Sequence, residues 1–148
     1  MDILMRAREN GKAPDLQAFI DQIPYARFLN IKVDQKGNEI TTILKFHEEL
    51  IGNPALPALH GGAIGAFLET TAIIQLAFEI PSSSLPKPVD ITIDYLRSGK
   101  PVDTYARARI TKQGRRVANI HVEAWQEDHS KPIAAAHGHF LLTPPEEK

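Results

Sequence analysis

The apolar positions near the N-terminus recur at helical spacing. Residues 2–9 and Pro14–Asp21 are predicted to form short helices, and Pro24–Leu29 is predicted to form a short turn or helix. An apolar stripe at helical spacing is made of Leu16, Phe19, Ile20 and Ile23. We expect residues 1–30 to form a helical cap that packs on the core, or a lid that covers a pocket.

Two strands and an irregular segment follow. Ile31–Asp34 and Ile40–Phe46 have the apolar, β-branched pattern of strands, and the Gly37-Asn38 pair between them is typical of a hairpin turn. Residues 47–58 contain prolines at positions 54 and 57, which interrupt regular structure. This segment is therefore predicted to be an ordered loop that leads to His60.

The longest apolar segment runs from Gly61 to Phe78, and Glu69 is its only charged residue. It is predicted to be a helix that begins at about His60 and is buried, because it is apolar on all sides. Its polar residues and the missing basic flank argue against a membrane span. A lone carboxylate in a buried helix has to be ion-paired, protonated or part of a functional site.

Four runs with period-two alternation follow the proline-rich break at residues 81–88. They cover residues 89–95, 104–111, 116–125 and 133–142 and are joined by short turns, so we predict an antiparallel meander. A sheet curled around one apolar helix is the economical two-layer arrangement of these elements. We therefore predict a single α+β domain, with a core at residues 31–143 and a polar tail at residues 144–148.

Composition narrows the function classes. A chain of 148 residues is long enough for one well-packed domain, and its net charge of −1 gives no reason to expect nucleic acid or an anionic membrane as a partner. The absence of cysteine excludes disulfides and thiol chemistry. The first nine residues contain no uninterrupted apolar stretch of the kind found in signal peptides, so we expect a cytoplasmic location.

The spacing of His60 and Glu69 has a consequence for assembly. Nine helical residues separate them by half a turn and by about 13.5 Å along the axis, so one helix cannot bring both into one site. If both act together, His60 of one copy must meet Glu69 of another. A two-fold dimer with two symmetric sites would satisfy this condition.

Two spaced motifs resemble a known family. The first is His60-Gly61-Gly62 with an acid nine positions after the histidine, and the second is Val89-Asp90 followed by Tyr95-Leu96-Arg97. Together they resemble the hot-dog fold, and most closely the PaaI-type acyl-CoA thioesterases of the 4-hydroxybenzoyl-CoA thioesterase-like superfamily. The resemblance covers about residues 25–143 and implies a curled antiparallel sheet around one long central helix.

The resemblance also implies catalytic roles. The Gly61 N–H at the helix N-terminus would polarise the thioester carbonyl, and Glu69 of the partner subunit would act as nucleophile or general base. Burial among apolar neighbours is expected to raise the pKa of Glu69. His60 would position the site, and Asn53 would place substrate or water.

Further residues are expected to bind the substrate. Cationic groups near the entrance suit the phosphates of coenzyme A, and glycine permits close backbone approach. The candidates are Gly62, Arg97, Ser98, Gly114, Arg115 and Arg116. Some relatives have a serine or threonine just before the Val-Asp pair, where this chain has Pro88. We predict no metal site and no cofactor other than the coenzyme A of the substrate.

The sequence thus predicts an acyl-CoA thioesterase that works as a homodimer or a dimer of dimers. Two alternatives stay open: a hot-dog hydratase or dehydratase acting on acyl thioesters, and an acyl-CoA-binding protein without activity. The apolar lining suggests an aryl or medium-length acyl group, but the sequence does not indicate the chain length.

Overall fold

The computed structural model describes residues 1–144, so the predicted tail lies outside the described residues except for Pro144. The helices are α1 (Asp2–Glu9), α2 (Leu16–Ile20), α3 (Pro24–Leu29) and α4 (Gly61–Glu79). The strands are β1 (Ile31–Lys36), β2 (Glu39–Leu44), β3 (Ile51–Asn53), β4 (Ala58–Leu59), β5 (Lys87–Tyr95), β6 (Thr104–Gln113), β7 (Val117–Trp125) and β8 (Ala134–Leu141).

A six-stranded antiparallel sheet wraps around α4, which confirms the predicted α+β fold class. The strand order is β1-β2-β6-β7-β8-β5. The inner face of β7 and β8 is rich in small side chains, including the fully buried Ala124 and Ala134, and this allows the sheet to curl closely over the helix. Phe67 and Leu68 of α4 fill the space beneath it with no exposed surface. The apolar character of α4 is therefore explained by its burial in the core of the fold.

The prediction of a four-strand meander is wrong in one respect. Strands β6, β7 and β8 do follow one another, but β5 pairs with β8 at the edge of the sheet instead of with β6. The segment 96–103, part of which was predicted as a tight turn, is a crossing connection that passes the ends of β8 and β7. Crossing three strand spacings requires about 14 Å, which eight residues span easily. As a result, β5 is hydrogen-bonded on one side only.

The prediction that residues 47–58 form an ordered loop without regular strand or helix is also partly wrong. Residues 48–50 form a 3₁₀ turn, and β3 and β4 form a small antiparallel hairpin in which Ile51 pairs with Leu59. Both prolines lie in the turn between these two strands, where neither has to donate a ladder hydrogen bond. The hairpin therefore forms without conflict with the proline positions.

The N-terminal segment packs on the core, as the cap hypothesis expects. Helix α2 begins at Leu16 instead of Pro14, because the Asp15 side chain caps it by accepting a hydrogen bond from the Ala18 N–H. Helix α1 reaches the far end of α4, where Arg8 Nη2 donates to the carbonyls of Ala77 (2.7 Å) and Phe78 (2.9 Å). A guanidinium at this position satisfies carbonyls left free at the helix end and complements the helix dipole.

We expect Arg8→Ala to lower the free energy of unfolding by about 1.5 kcal/mol, because it removes two charge-assisted hydrogen bonds from the end of α4. Denaturant titration at neutral pH measures the loss. Arg6→Ala is the matched control, since Arg6 is an exposed arginine of the same helix. Equal stability of the two variants would contradict the capping role.

Candidate active site at the start of the central helix

The β3–β4 hairpin fixes the point where α4 begins. The Leu59 N–H donates to the Gly99 carbonyl (3.0 Å), and the His60 N–H donates to the Leu50 carbonyl (2.8 Å). Gly52 passes directly against His60: a Cβ at position 52 would lie 2.6 Å from the His60 Cα. Only glycine fits this approach without a backbone shift. The loop and the helix start therefore form one rigid corner.

His60 is the N-cap residue of α4. Its exposed imidazole folds back so that Nδ1 accepts a hydrogen bond from the Gly62 N–H at 2.8 Å. An accepting Nδ1 carries no proton, so this geometry requires the neutral ring with its hydrogen on Nε2. The structure thus assigns His60 a capping role that orients the first turn of the helix.

The position of the His60 imidazole changes the expected angle between His60 and Glu69 around the helix axis. Helical backbone begins at Gly61, and the His60 ring lies against Gly62, where a Cβ would approach its Nδ1 to 2.9 Å. The half-turn offset predicted from a helical His60 therefore does not describe the ring. The axial offset remains, since Gly61 and Glu69 are separated by about 12 Å along one helix. Gly61 and Glu69 of one chain still cannot share a site.

Gly61 combines a held carbonyl with a free amide. Its carbonyl accepts a hydrogen bond from Tyr95 Oη at 2.7 Å, and its N–H makes no hydrogen bond within residues 1–144. The first N–H groups of a helix have no partner inside the helix, and they lie at the positive end of its dipole. The Gly61 N–H is thus available to an anionic or polarised oxygen.

A groove of about 340 Å³ opens beside Gly61. Gly61, Tyr95, Arg97 and Ser98 all line it, so the structure brings the predicted oxyanion donor together with two of the predicted substrate-binding residues. Arg97 is held by a hydrogen bond from Nη1 to the Pro132 carbonyl at 2.7 Å. The walls of the groove also include Ala58, Leu59, Ile64, Leu96 and Gly99.

A second cavity of about 310 Å³ shares Arg97 and Ser98 with this groove. Lys100 and Lys131 also line it, together with acidic groups that include Glu127, whose carboxylate lies 3.6 Å from the Lys100 ammonium. The groove therefore leads from the free amide to a surface with three cationic side chains. Lys131 was not predicted from the sequence, because it lies in the β7–β8 connection with no motif around it.

Glu69 lies on the face of α4 that the chain's own sheet leaves uncovered. This stripe comprises Gly62, Ala66, Glu69 and Ile73, none of which is fully buried, and these positions share one side of a helix. Glu69 makes no ion pair with the side chains of residues 1–144. Glu69 is half-buried, so one chain alone does not give it the burial among apolar neighbours that is expected from the sequence.

Asn53 ends β3, and its side chain is engaged locally. Its Oδ1 accepts a hydrogen bond from the Ala55 N–H at 3.1 Å, which closes a turn of the Asx type. The residue is exposed and pairs with Ala58, two positions before His60. The hydrogen bond to Oδ1 restrains the Asn53 side chain. The role of Asn53 in placing substrate or water stays a prediction.

The remaining predicted binding residues lie far from the helix start. Gly114, Arg115 and Arg116 form the β6–β7 turn, at the end of the sheet where Val117 pairs with Leu141. Tyr95 and Ala134 pair at the opposite end. The seven residue steps along β8 between these two levels correspond to about 24 Å. One chain therefore does not bring this turn to the Gly61 groove.

The outer face of the sheet carries a separate set of histidines with acidic partners. His139 Nδ1 lies 2.8 Å from Asp90 Oδ1, and His121 Nε2 lies 3.2 Å from Glu123 Oε1. The hydrogen bond from His139 holds the pKa of Asp90 below its usual value. In the part of the chain that the structure describes, no three such residues are grouped as metal ligands. The His139–Asp90 pair joins β8 to β5, whereas His121 and Glu123 are neighbours on one face of β7.

Comparisons with known proteins identify a family and similar folds. The model of the Thioesterase superfamily matches residues 56–133, a span that begins just before His60 and includes α4 and β5–β7. A comparison with curated proteins finds no match.

Solved structures extend the similarity to the whole chain. A protein from Chromobacterium violaceum is 38% identical with a TM-score of 0.77, and the alignment covers 99% of this chain and 100% of that one. A phenylacetic acid degradation-related protein from Ralstonia eutropha is 18% identical, with a TM-score of 0.73 and coverage of 93% and 98%. A Bacillus halodurans protein solved with CoA is 20% identical, with a TM-score of 0.71 and coverage of 98% and 89%. At these two lower identities the likeness concerns the fold.

Proposed function

Since this chain belongs to the thioesterase superfamily, we propose that it hydrolyses an acyl- or aryl-coenzyme A thioester to the free acid and coenzyme A. Membership supports thioester hydrolysis in general. The observation that carries the proposal to particular atoms is the Gly61 N–H, which makes no hydrogen bond within residues 1–144 and borders a groove at a helix N-terminus.

The Gly61 N–H would donate to the thioester oxygen. In the ground state it would polarise the carbonyl, and in the transition state it would stabilise the negative charge that develops on that oxygen. His60 would act by capping the turn, because its Nδ1 is already used to hold the Gly62 N–H.

Glu69 would activate water as a general base. The carboxylate takes a proton from water, the new C–O bond forms at the carbonyl carbon, and the tetrahedral intermediate then expels the thiolate, which recovers the proton. Direct attack by the Glu69 carboxylate, with hydrolysis of an anhydride afterwards, is the other possible route. Both routes use the same residue and give the same products.

The Glu69 carboxylate would come from a second copy of the chain. Strand β5 is a nine-residue edge with one unpaired side, and its Val89 is 59% exposed. Long unprotected edges are unusual in stable proteins. Helix α4 contacts this strand through Gly61 and Gly65, so the uncovered stripe with Glu69 adjoins the edge. A two-fold copy paired there would bury Glu69 and complete the site.

The same two-fold pairing would also bring the β6–β7 turn closer to the site. Antiparallel pairing of two β5 edges places the Tyr95 end of one chain beside the Lys87 end of the other. Lys87 pairs with Leu141, as Val117 does, so the Gly114–Arg116 turn belongs to that end of the sheet. Arg115 and Arg116 of the partner subunit, together with Arg97, would then offer cations to the phosphates of coenzyme A. We propose the homodimer as the functional unit, with a dimer of dimers as a further assembly, acting in the cytoplasm.

Free thiol release tests the proposed function. Purified protein is incubated with a panel of short, medium, long and aromatic acyl-CoA esters, and the thiol is measured with a chromogenic disulfide reagent. We expect stoichiometric release of thiol and acid from at least one class. A changed acyl chain without thiol release would indicate a hydratase or dehydratase, and tight binding without any turnover would indicate a binding protein.

A further inference from the structure

Tyr95 contacts the first turn of α4 at two glycines. Its Oη donates to the Gly61 carbonyl at 2.7 Å, and its ring Cε1 would lie 3.3 Å from a Cβ on Gly61. The same Oη would lie 3.5 Å from a Cβ on Gly65. The phenol ring therefore packs on a strip of helix backbone that is bare because both residues are glycine. The motif that contains Tyr95 marks the family resemblance, but the sequence analysis assigned no role to this side chain.

The hydrogen bond from Tyr95 completes a clamp on one peptide unit. The carbonyl of Gly61 and the N–H of Gly62 belong to the same peptide, so Tyr95 Oη holds one end and His60 Nδ1 holds the other. The preceding carbonyl, of His60, accepts from the Ala63 and Ile64 N–H groups at 3.0 and 3.2 Å. The peptide that carries the Gly61 N–H is thus fixed on both sides.

We propose that Tyr95 is a positioning residue for catalysis: its hydroxyl fixes the first turn of α4 so that the Gly61 N–H points to the thioester oxygen in the groove. This inference rests on the proposed function. An oxyanion donor acts through its alignment with charge that develops in the transition state, so a small reorientation costs rate more than it costs substrate binding.

Tyr95→Phe removes the hydroxyl and leaves the ring on Gly61 and Gly65. We expect kcat to fall about tenfold, less than for loss of the donor itself, while KM stays within about twofold. Tyr105→Phe is the matched control, because Tyr105 lies on the outer face of the sheet and stacks on Trp125 with ring centroids 6.1 Å apart. The control is expected to keep wild-type kcat and KM.

A spectroscopic measurement separates positioning from a structural role. The probe is a ¹³C-labelled ketone analogue of the best acyl-CoA substrate, in which a methylene replaces the thioester sulfur. A hydrogen bond to its carbonyl lowers the stretching frequency, and we expect a smaller shift when the analogue is bound to Tyr95→Phe than to wild type or Tyr105→Phe. In ¹⁵N-glycine-labelled protein, we expect the Gly61 and Gly62 amide resonances to shift between wild type and Tyr95→Phe, while the resonances of distant glycines stay unchanged. This signal does not require turnover.

The possible results distinguish failure of the positioning role of Tyr95 from failure of the proposed thioesterase function. Wild-type kcat and an unchanged carbonyl shift in Tyr95→Phe, with Glu69→Gln inactive, would overturn the positioning role and leave the proposed function intact. A lower thermal midpoint together with a lower kcat in Tyr95→Phe, with no change in the carbonyl shift, would also overturn it. Absence of thioester hydrolysis by the wild-type protein would refute the proposed function and this inference with it.

Discussion

Glu69→Gln is expected to lower kcat for acyl-CoA hydrolysis by about a thousandfold, because the amide can neither accept a proton from water nor attack the carbonyl. The substitution preserves the side-chain shape on the uncovered face of α4. Glu69 makes no ion pair within residues 1–144, so its loss breaks no partner contact of the described chain. The thermal midpoint and the oligomeric state are therefore expected to stay unchanged.

Steady-state kinetics with thiol detection measure kcat, thermal denaturation measures the midpoint, and size-exclusion chromatography with light scattering measures the oligomeric state. Glu79→Gln is the matched control, since Glu79 ends the same helix, is exposed, and accepts a hydrogen bond from Gln75 Nε2 at 3.1 Å. We expect the control to retain full activity. Retention of wild-type kcat by Glu69→Gln would remove Glu69 from the mechanism.

Gly61→Pro is the second substitution with a large expected effect, because it deletes the proposed oxyanion donor itself. Proline is favoured at the first position of a helix, and the residue before it prefers extended backbone. His60 already has φ −64° and ψ 128°, so its backbone is compatible with a following proline. Loss of one oxyanion-hole donor typically lowers kcat by a factor of about 100–1,000.

Gly61→Ala serves as the control for this experiment. Alanine keeps the N–H but adds a Cβ that would lie 3.3 Å from Tyr95 Cε1, and proline adds a Cβ at the same place. The ratio of kcat between the alanine and proline variants therefore corrects for the crowding by Cβ and measures the effect of replacing the N–H with the proline ring. We expect this ratio to be about 100 or more. Equal kcat in both variants would show that the Gly61 amide is not a catalytic donor.

Much of this fold could be predicted from the sequence because its local signals agree with its tertiary structure. The run from Gly61 to Phe78 is apolar on all sides, and the structure has a buried helix at Gly61–Glu79. Period-two alternation located the main strands to within a few residues. The position of β5 could not be predicted, since pairing with β8 instead of β6 is decided by how the sheet closes over the helix. The prolines at 54 and 57 suggested that no strand forms before His60, but they occupy the turn between two short strands.

The candidate site was predicted in part. The helix N-terminus with Gly61 follows from the His-Gly-Gly motif, and Arg97 and Ser98 do line the adjoining groove. The capping of Gly62 by His60 Nδ1 depends on a side-chain rotamer, which spacing cannot reveal. Tyr95 could have been found from the alternation of β5, which places it on the inner face together with Ile93. Lys131 had no comparable signal.

The central claim is that each active site combines Gly61 of one chain with Glu69 of its partner. Mixing the inactive Gly61→Pro and Glu69→Gln proteins, with unfolding and refolding to exchange subunits, tests it directly. In a mixed dimer one site receives both substitutions and the other receives neither, so random pairing should restore about a quarter of wild-type activity. If both residues acted within one chain, every site would carry one substitution. The mixture would then stay as inactive as its components, and that result would contradict the account.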